Sequence, residues 1–233
     1  MFPIHDDNPT RITPYVTYVL LAGCILVFLW QISLGDTEQY AVYSFGVIPS
    51  VLFGARSLPV ELEVLPAWMT IFSSMFLHGG WMHLIGNMLY LWVFGNNVED
   101  SMGHVRFIVF YFLCGALAAL TQAVFNPASE IPMIGASGAI SGVLGAYLLL
   151  HPRARILVVI PIGILIYTPW IAAYWVLGFW FVLQLVNSIV AAGDNGGVAY
   201  GAHLGGFVAG MLLIPLFKYR NVPLFSPGHR RNQ

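Results

Sequence analysis

Four polar side chains lie in otherwise apolar stretches of the chain, and their types suit acyl transfer. They are Ser137, His203, His83 and Asn87. A serine hydroxyl becomes a good nucleophile when a base within hydrogen-bond reach takes its proton, and a histidine, which titrates near neutral pH, can be that base. The attacked carbonyl becomes an oxyanion, which needs fixed donors such as an Asn amide or a His N–H. The expected chemistry is a Ser–His dyad with an oxyanion hole, because these stretches hold no acid for a third member.

The spacing of these residues fits helices that approach each other closely. Asn87 follows His83 by four residues, so on a helix both side chains lie on nearly the same face. Ser137 and His203 lie beside glycines in small-xxx-small patterns, which let membrane helices pack backbone to backbone. The glycine pairs are Gly138 with Gly142, Gly201 with Gly205, and Gly206 with Gly210. Packing of these two helices would place the serine next to the histidine.

The composition indicates which elements must position these side chains. Of the 233 residues, 58% are hydrophobic and only 8% are charged, against about 25% charged in an ordinary soluble domain. So few charges exclude a soluble enzyme and a disordered chain. The net charge of −1, without a basic stripe, excludes a nucleic-acid partner. The chain is predicted to be a membrane protein surrounded by the lipid bilayer.

Apolar stretches without charged residues predict an all-α membrane protein with six transmembrane helices. The His78–Gly80 segment, and the prolines and glycine between Pro161 and Pro169, are interpreted as loops that precede spans. The six spans are expected at about 14–34, 81–97, 107–126, 134–151, 169–191 and 198–217. They form one domain, 14–218, between an N-terminal segment, 1–13, and a C-terminal tail, 219–233.

The basic residues predict the orientation of the spans. With six spans and a cytoplasmic N-terminus, Arg56 alone of the nine Lys and Arg residues lies outside, as the positive-inside rule favours. Both termini are therefore expected in the cytoplasm. Spans two, four and six then run from outside to inside, which places the four polar side chains within about 10 Å of the outer ends of their helices. This shared depth is the main argument for a common site.

Each feature also has a purely structural interpretation. A serine among glycines in a membrane helix most often packs or bonds its own backbone, and a lone membrane histidine is as often structural as functional. His78 and His83 could bind a metal, but a separation of five residues places them on different faces of one helix. The aromatic fifth span is most simply lipid-facing bulk.

Taken together and in this order, the motifs resemble those of the rhomboid family of intramembrane serine proteases. The resemblance runs from about Trp68 to Gly210 and includes the six-span plan. Its motifs are H-G-G-W-M-H-L-I-G-N at 78–87, G-A-S-G at 135–138 and A-H-L-G-G at 202–206.

The resemblance implies a role for each polar side chain. Ser137 would be the nucleophile, and His203 the general base and acid. His83, Asn87 and the backbone N–H of Ser137 would form the oxyanion hole. The fifth span and the loop after it would act as a movable gate and cap. The gate and cap residues expected are Trp175, Phe179 and Gly196. No metal or other cofactor is expected.

Two positions depart from the family pattern. Many members carry a Trp-Arg pair in the first exterior loop, whereas here Met69 and Thr70 follow Trp68. Many also place an aromatic residue one turn after the serine, against the histidine, where this chain has Ser141. Neither change removes a catalytic group, so activity is still expected.

The expected function is an endopeptidase that cleaves single-span membrane proteins near the exterior face through an acyl-enzyme. The alternative is a catalytically silent rhomboid-like protein that binds or escorts client transmembrane helices. A third interpretation is a metal-dependent oxidoreductase that uses His78, His83 and His203. Six spans without a seventh, and the lack of a transit peptide, favour a bacterial or archaeal plasma membrane. The substrate and the oligomeric state are not predicted.

Overall fold

The computed structural model describes residues 1–163, 165–190 and 198–226, and its framework is helical. The helices of this part of the chain are α1 (Tyr15–Ser33), α2 (Glu38–Phe45), α3 (Pro49–Leu52), α4 (Thr70–Ser73), α5 (Trp81–Met102), α6 (His104–Phe125), α7 (Ser137–Leu150), α8 (Ala173–Val190) and α9 (Tyr200–Phe217). Short 3-10 turns lie at Gly35–Thr37, Ala67–Met69 and Ser74–Phe76. The strands are β1 (Phe2–Asp6), β2 (Arg155–Ile162), β3 (Leu165–Tyr167) and β4 (Trp170–Ala172).

Helix α7 lies at the centre of the bundle and packs against α5, α6 and α9. Nearly every residue of its middle turns is buried. Glycines bring α7 and α9 into backbone contact: a Cβ added at Gly206 would collide with the carbonyl oxygen of Gly138, and one added at Gly210 with that of Gly142. Small residues therefore set the distance between the two helices that carry the candidate dyad.

The length and composition of the helices are those of a membrane protein. Among the described residues, α1, α6, α8 and α9 are long and apolar enough to cross a bilayer. Helix α5 continues past its predicted end at 97 and carries Glu99 and Asp100 in its last turn. Helix α7 is apolar but has only 14 residues. It begins at Ser137 rather than 134, because Gly135 has a φ of +121° that a helix cannot contain.

The expectation of an all-α protein is wrong at one end of the bundle, where a small antiparallel sheet forms. Strand β2 pairs with β1, β3 and β4. The predicted loop around Pro161–Pro169 and the N-terminal segment thus contain strands, and the fifth long helix begins at Ala173 rather than 169. The physical reason is the run 156–160, Ile-Leu-Val-Val-Ile, whose β-branched side chains favour a strand and whose pairing partner comes from the start of the chain.

Both described ends of the chain lie at this end of the bundle, called the terminal face below. The backbone N–H groups of Tyr219 and Phe225 donate to the carbonyl oxygens of Ser101 and Leu149, and β1 pairs with β2 there. Helices α5 and α9 end at the terminal face. Their first turns therefore lie at the opposite end, called the site face.

The long segment between α1 and α5 is held by hydrogen bonds to its backbone. Gln31 Nε2 donates to the carbonyl oxygen of His78 at 2.7 Å, and the N–H of His78 donates to Gln31 Oε1 at 3.1 Å. Ser73 Oγ donates to the carbonyl oxygen of Phe45 at 2.7 Å. His78 thus anchors the chain before α5, and side-chain amide and hydroxyl groups fasten a loop that lacks an arginine after Trp68.

Candidate active site

The starts of α7 and α9 bring a serine and a histidine into hydrogen-bonding contact at the site face. Ser137 is the first residue of α7, and His203 lies in the first turn of α9. Ser137 Oγ lies 2.7 Å from His203 Nε2. This is the distance of a hydroxyl hydrogen bond, and the contact is the one that general-base activation of a serine requires.

The other ring nitrogen of His203 contacts a residue that the sequence analysis missed. Nδ1 lies 2.8 Å from Oε1 of Gln184 on α8. The ring of Trp180, one turn earlier on α8, lies 6.0 Å from the imidazole between centroids, with 36° between the planes. The signal in the sequence is an amide within an apolar stretch, but that stretch was interpreted as lipid-facing bulk.

His83 places an N–H donor beside the chain that enters α7. The backbone N–H of Gly79 donates to His83 Nδ1 at 3.1 Å, so the hydrogen of the neutral ring lies on Nε2. A Cβ added to Gly135 would lie only 2.8 Å from His83 Nε2. Gly135 also has a φ of +121°, which L side chains disfavour. Glycine at this position therefore allows the imidazole donor to approach the backbone next to Ser137.

Asn87 supplies a second donor at the same place. It follows His83 by one turn of α5 and is 7% exposed, and its Nδ2 has no hydrogen-bond partner among the described residues. The same Cβ at Gly135 would lie 3.7 Å from Asn87 Nδ2. The backbone N–H of Ser137 is a third donor, because the first N–H groups of a helix have no acceptor within it. The arrangement offers three donors to an anionic oxygen formed beside the serine.

The family of the chain follows from comparison with known proteins. The model of the Rhomboid domain matches residues 66–220, a range that includes the serine, both histidines and the asparagine of this site. The chain belongs to the rhomboid family. With its long apolar helices, this rhomboid protein is an integral membrane protein.

Its relatives include proteases and rhomboid-like proteins. Rhomboid protease GluP of Bacillus subtilis is 33% identical over 84% of this chain and 34% of its own length. RHOMBOID-like protein 1 of Arabidopsis thaliana is 29% identical over 91% of this chain and 49% of its own length. Rhomboid protease GlpG of Salmonella newport is 25% identical over 91% of this chain and 66% of its own length. The chain thus spans about a third to a half of the length of the first two of these relatives.

The predicted gate and cap residues are not brought into the polar cluster of this rhomboid protein. Trp175 and Phe179 lie on α8 and are 65% and 54% exposed. No hydrogen bond or ring contact within the described part of the chain joins either of them to the serine or the histidine. Gly196 lies outside the described residues.

The aromatic residue that the family pattern predicts beside the imidazole is replaced from another helix. Ser141 is buried, and its hydroxyl donates to the carbonyl oxygen of Ser137 at 2.6 Å. The aromatic ring beside the imidazole is instead that of Trp180 on α8. The aromatic contact of His203 therefore comes from α8 rather than from α7, while α7 contacts the imidazole through Ser137.

Proposed function

We propose that this rhomboid protein is a serine endopeptidase that cleaves the transmembrane segments of single-span membrane proteins. The observation that carries the proposal is the 2.7 Å contact between Ser137 Oγ and His203 Nε2. The donors of His83 and Asn87 beside that contact support it. So do the relatives named as rhomboid proteases in Bacillus subtilis and Salmonella newport.

The proposed reaction uses groups of the chain, the substrate and water. His203 Nε2 takes the proton of Ser137 as the hydroxyl oxygen attacks the substrate carbonyl. The oxyanion accepts hydrogen bonds from the Ser137 N–H, His83 Nε2 and Asn87 Nδ2. His203 then protonates the leaving amine, and an acyl-enzyme remains. Water, deprotonated by the same imidazole, hydrolyses the ester and regenerates the serine.

The proposed arrangement in the membrane has six spans in the domain 14–218, formed by α1 and α5 to α9, with both termini in the cytoplasm. Basic residues at the terminal face support it, since the positive-inside rule assigns such a face to the cytoplasm. These are Arg11, Arg106, Arg155 and Lys218. The site face then lies near the exterior surface, where water can reach the dyad. The sequence alone predicts a bacterial or archaeal plasma membrane. The relatives from Bacillus subtilis and Salmonella newport favour a bacterial one.

The proposed substrates are transmembrane helices that unwind easily near their exterior ends. A peptide bond inside a membrane helix is shielded, because its carbonyl oxygen already accepts a backbone hydrogen bond. Segments with Gly, Pro or small polar residues expose that bond at lower cost. The exposed aromatic side chains of Trp175 and Phe179 on α8, with the loop that contains Gly196, are proposed as the gate and cap on the path of entry.

Labelling with a fluorophosphonate probe tests the proposed dyad in detergent-purified protein. Wild type should be labelled, whereas Ser137→Ala and His203→Ala should not. Ser33→Ala is the matched control, because it removes an exposed hydroxyl at the end of α1 on the site face. This control should be labelled at the rate of the wild type.

Two outcomes would contradict the proposal. A folded wild type that the probe does not label would favour the alternative of a catalytically silent protein that binds or escorts transmembrane helices. Labelling that persists in Ser137→Ala would show that another residue is the nucleophile.

A further inference from the structure

Both ring nitrogens of His203 lie within hydrogen-bonding distance of a side-chain oxygen. Nδ1 lies 2.8 Å from Gln184 Oε1, and Nε2 lies 2.7 Å from Ser137 Oγ. The oxygen of an amide accepts hydrogen bonds but cannot donate them. With Oε1 of Gln184 facing the ring, this geometry favours the hydrogen on Nδ1, which leaves the lone pair of Nε2 to accept the serine proton.

Helix α8 contacts the imidazole at two points one turn apart. Residues four positions apart on a helix share a face, and Trp180 and Gln184 have that spacing. The indole lies 6.0 Å from the imidazole between centroids, while the amide bonds Nδ1. The orientation and the tautomer of His203 thus both depend on α8.

We propose that Gln184 is a positioning residue, which holds His203 in the Nδ1–H tautomer and aims Nε2 at Ser137. The inference rests on the proposed function, in which His203 is the general base. In known serine hydrolases a carboxylate has this role, and the wrong histidine tautomer is severely inactive. Here a neutral amide oxygen takes the position of that carboxylate. It also accepts the Nδ1 hydrogen while Nε2 is protonated, so the same contact serves both the base and the acid step.

Kinetics of three variants test the role of Gln184 with a single-span reporter protein in proteoliposomes. Gln184→Met keeps a long, unbranched side chain but removes the acceptor, so kcat should fall about tenfold while KM stays unchanged. Gln184→Glu restores an acceptor and should recover kcat at neutral pH. Its carboxylate also stabilises the imidazolium, so the acidic limb of its kcat–pH profile should move to higher pH. Asn187→Leu removes the next amide of α8 and is the matched control, with wild-type kinetics expected.

The tautomer can be read directly, without turnover. In protein labelled with ¹⁵N-histidine, ¹⁵N chemical shifts distinguish a protonated ring nitrogen from a bare one, and a His203→Gln sample assigns the signals. Wild type should show His203 with hydrogen on Nδ1 and a bare Nε2. Gln184→Met should show a mixture of tautomers, whereas Asn187→Leu should keep the wild-type spectrum.

The outcomes separate this inference from the proposed function. Wild-type kcat and an unchanged tautomer in Gln184→Met would overturn the role of Gln184. Equal losses in Gln184→Met and Asn187→Leu would also overturn it, because they would show a general effect on α8. A wild type that neither cleaves the reporter nor reacts with the fluorophosphonate would refute the proposed protease function. The ¹⁵N measurement would still show whether Gln184 holds His203 in the Nδ1–H tautomer.

Discussion

Among single residues, the buried carboxyl group of Asp6 makes the terminal face sensitive to pH. Its Oδ2 accepts hydrogen bonds from Asn97 Nδ2 at 2.8 Å and from the Tyr147 hydroxyl at 2.6 Å, and the residue is 5% exposed. Burial raises the pKa of Asp6 from 3.8 to about 6, although the hydrogen bond from Tyr147 opposes this shift. Between these two pH values, the folded protein therefore binds a proton more tightly than the unfolded chain does.

We predict that the stability of the protein falls as pH rises through this range and stays lower above it. Asp6→Asn should remove this dependence and raise the free energy of unfolding at neutral pH by up to about 3 kcal/mol. The reason is that an amide oxygen can accept both hydrogen bonds without the burial of a charge. Thermal unfolding in detergent between about pH 4 and about pH 7.5 measures the effect.

The matched control for Asp6 is its neighbour Asp7, which forms an exposed ion pair with Arg155. Asp7→Asn should change the free energy of unfolding by less than about 1 kcal/mol. A wild-type stability that rises with pH across this range, with the same slope in Asp6→Asn, would contradict the prediction.

A second prediction for a single residue concerns Asn87 in the proposed oxyanion hole. Asn87→Ala should lower kcat by about 10²–10³ with little change in KM, because the amide would donate mainly to the oxyanion of the transition state. Cleavage of a single-span reporter, with the exposed Asn126→Ala as control, measures the loss. An unchanged kcat would show that Asn87 is structural.

At the scale of elements, the start of α1 is capped from another helix. Glu99 of α5 is fully buried, and its two carboxylate oxygens accept hydrogen bonds from the backbone N–H groups of Val16 and Thr17 at 3.0 and 2.8 Å. The Thr17 hydroxyl also donates to Glu99, at 2.6 Å. Pro14, which precedes the helix, makes no side-chain cap. A carboxylate near a helix N-terminus also interacts favourably with the helix dipole, so this contact should fix α1 against α5.

Glu99→Ala should therefore lower the free energy of unfolding by about 2–4 kcal/mol, because it leaves the buried donors of Thr17 without an acceptor and also removes the 2.6 Å contact of Glu99 with His104. Asp100→Ala is the matched control from the next position, since Asp100 Oδ1 accepts from Arg11 and Ile12 N–H groups in a more exposed place. Thermal unfolding of both variants should show the larger loss for Glu99. Equal losses of unfolding free energy in the two variants would contradict this prediction, because the Glu99 contacts would then stabilise the protein no more than the contacts of the more exposed Asp100.

The glycine contact between α7 and α9 sets the geometry of the proposed dyad. A Cβ in Gly206→Ala would collide with the carbonyl oxygen of Gly138 and push α9 away from α7. A displacement of about 1 Å can slow a reaction by about 10², so labelling by fluorophosphonate should slow by that order. Gly178→Ala on α8 is the control, because its Cβ would meet no atom within 4 Å. Wild-type labelling of Gly206→Ala would contradict this role of the glycines.

Over the whole molecule, local sequence patterns predicted more of the helices than of the contacts between distant segments. Ser137 and His203 could be paired in advance because each lies near the start of a helix whose direction the charge pattern indicates. The pairing of β1 with β2 could not be predicted, since the two strands come from distant parts of the chain. A short apolar run such as 156–160 is compatible with a strand or a helix until its partner is known.

The contact of Gln184 has a signal in the sequence that the interpretation of this span as lipid-facing bulk did not use. Gln184, Asn187 and Ser188 lie three and four residues apart, so on a helix they share one polar face. The sequence does not show which side chain this face meets, because the pairing of Gln184 with His203 follows from the packing of α8 on α9. The cap that Glu99 forms on α1 was missed for a different reason, because α5 was expected to end at 97, before the residue that reaches α1.

The measurement that tests the central claim most directly is cleavage of a single-span reporter by the purified protein in proteoliposomes, with the products identified by intact mass. The account predicts that wild type cuts the reporter once, in the exterior part of its transmembrane segment, and that Ser137→Ala leaves it whole. An intact reporter after incubation with folded wild type, or the same products from Ser137→Ala, would contradict the account.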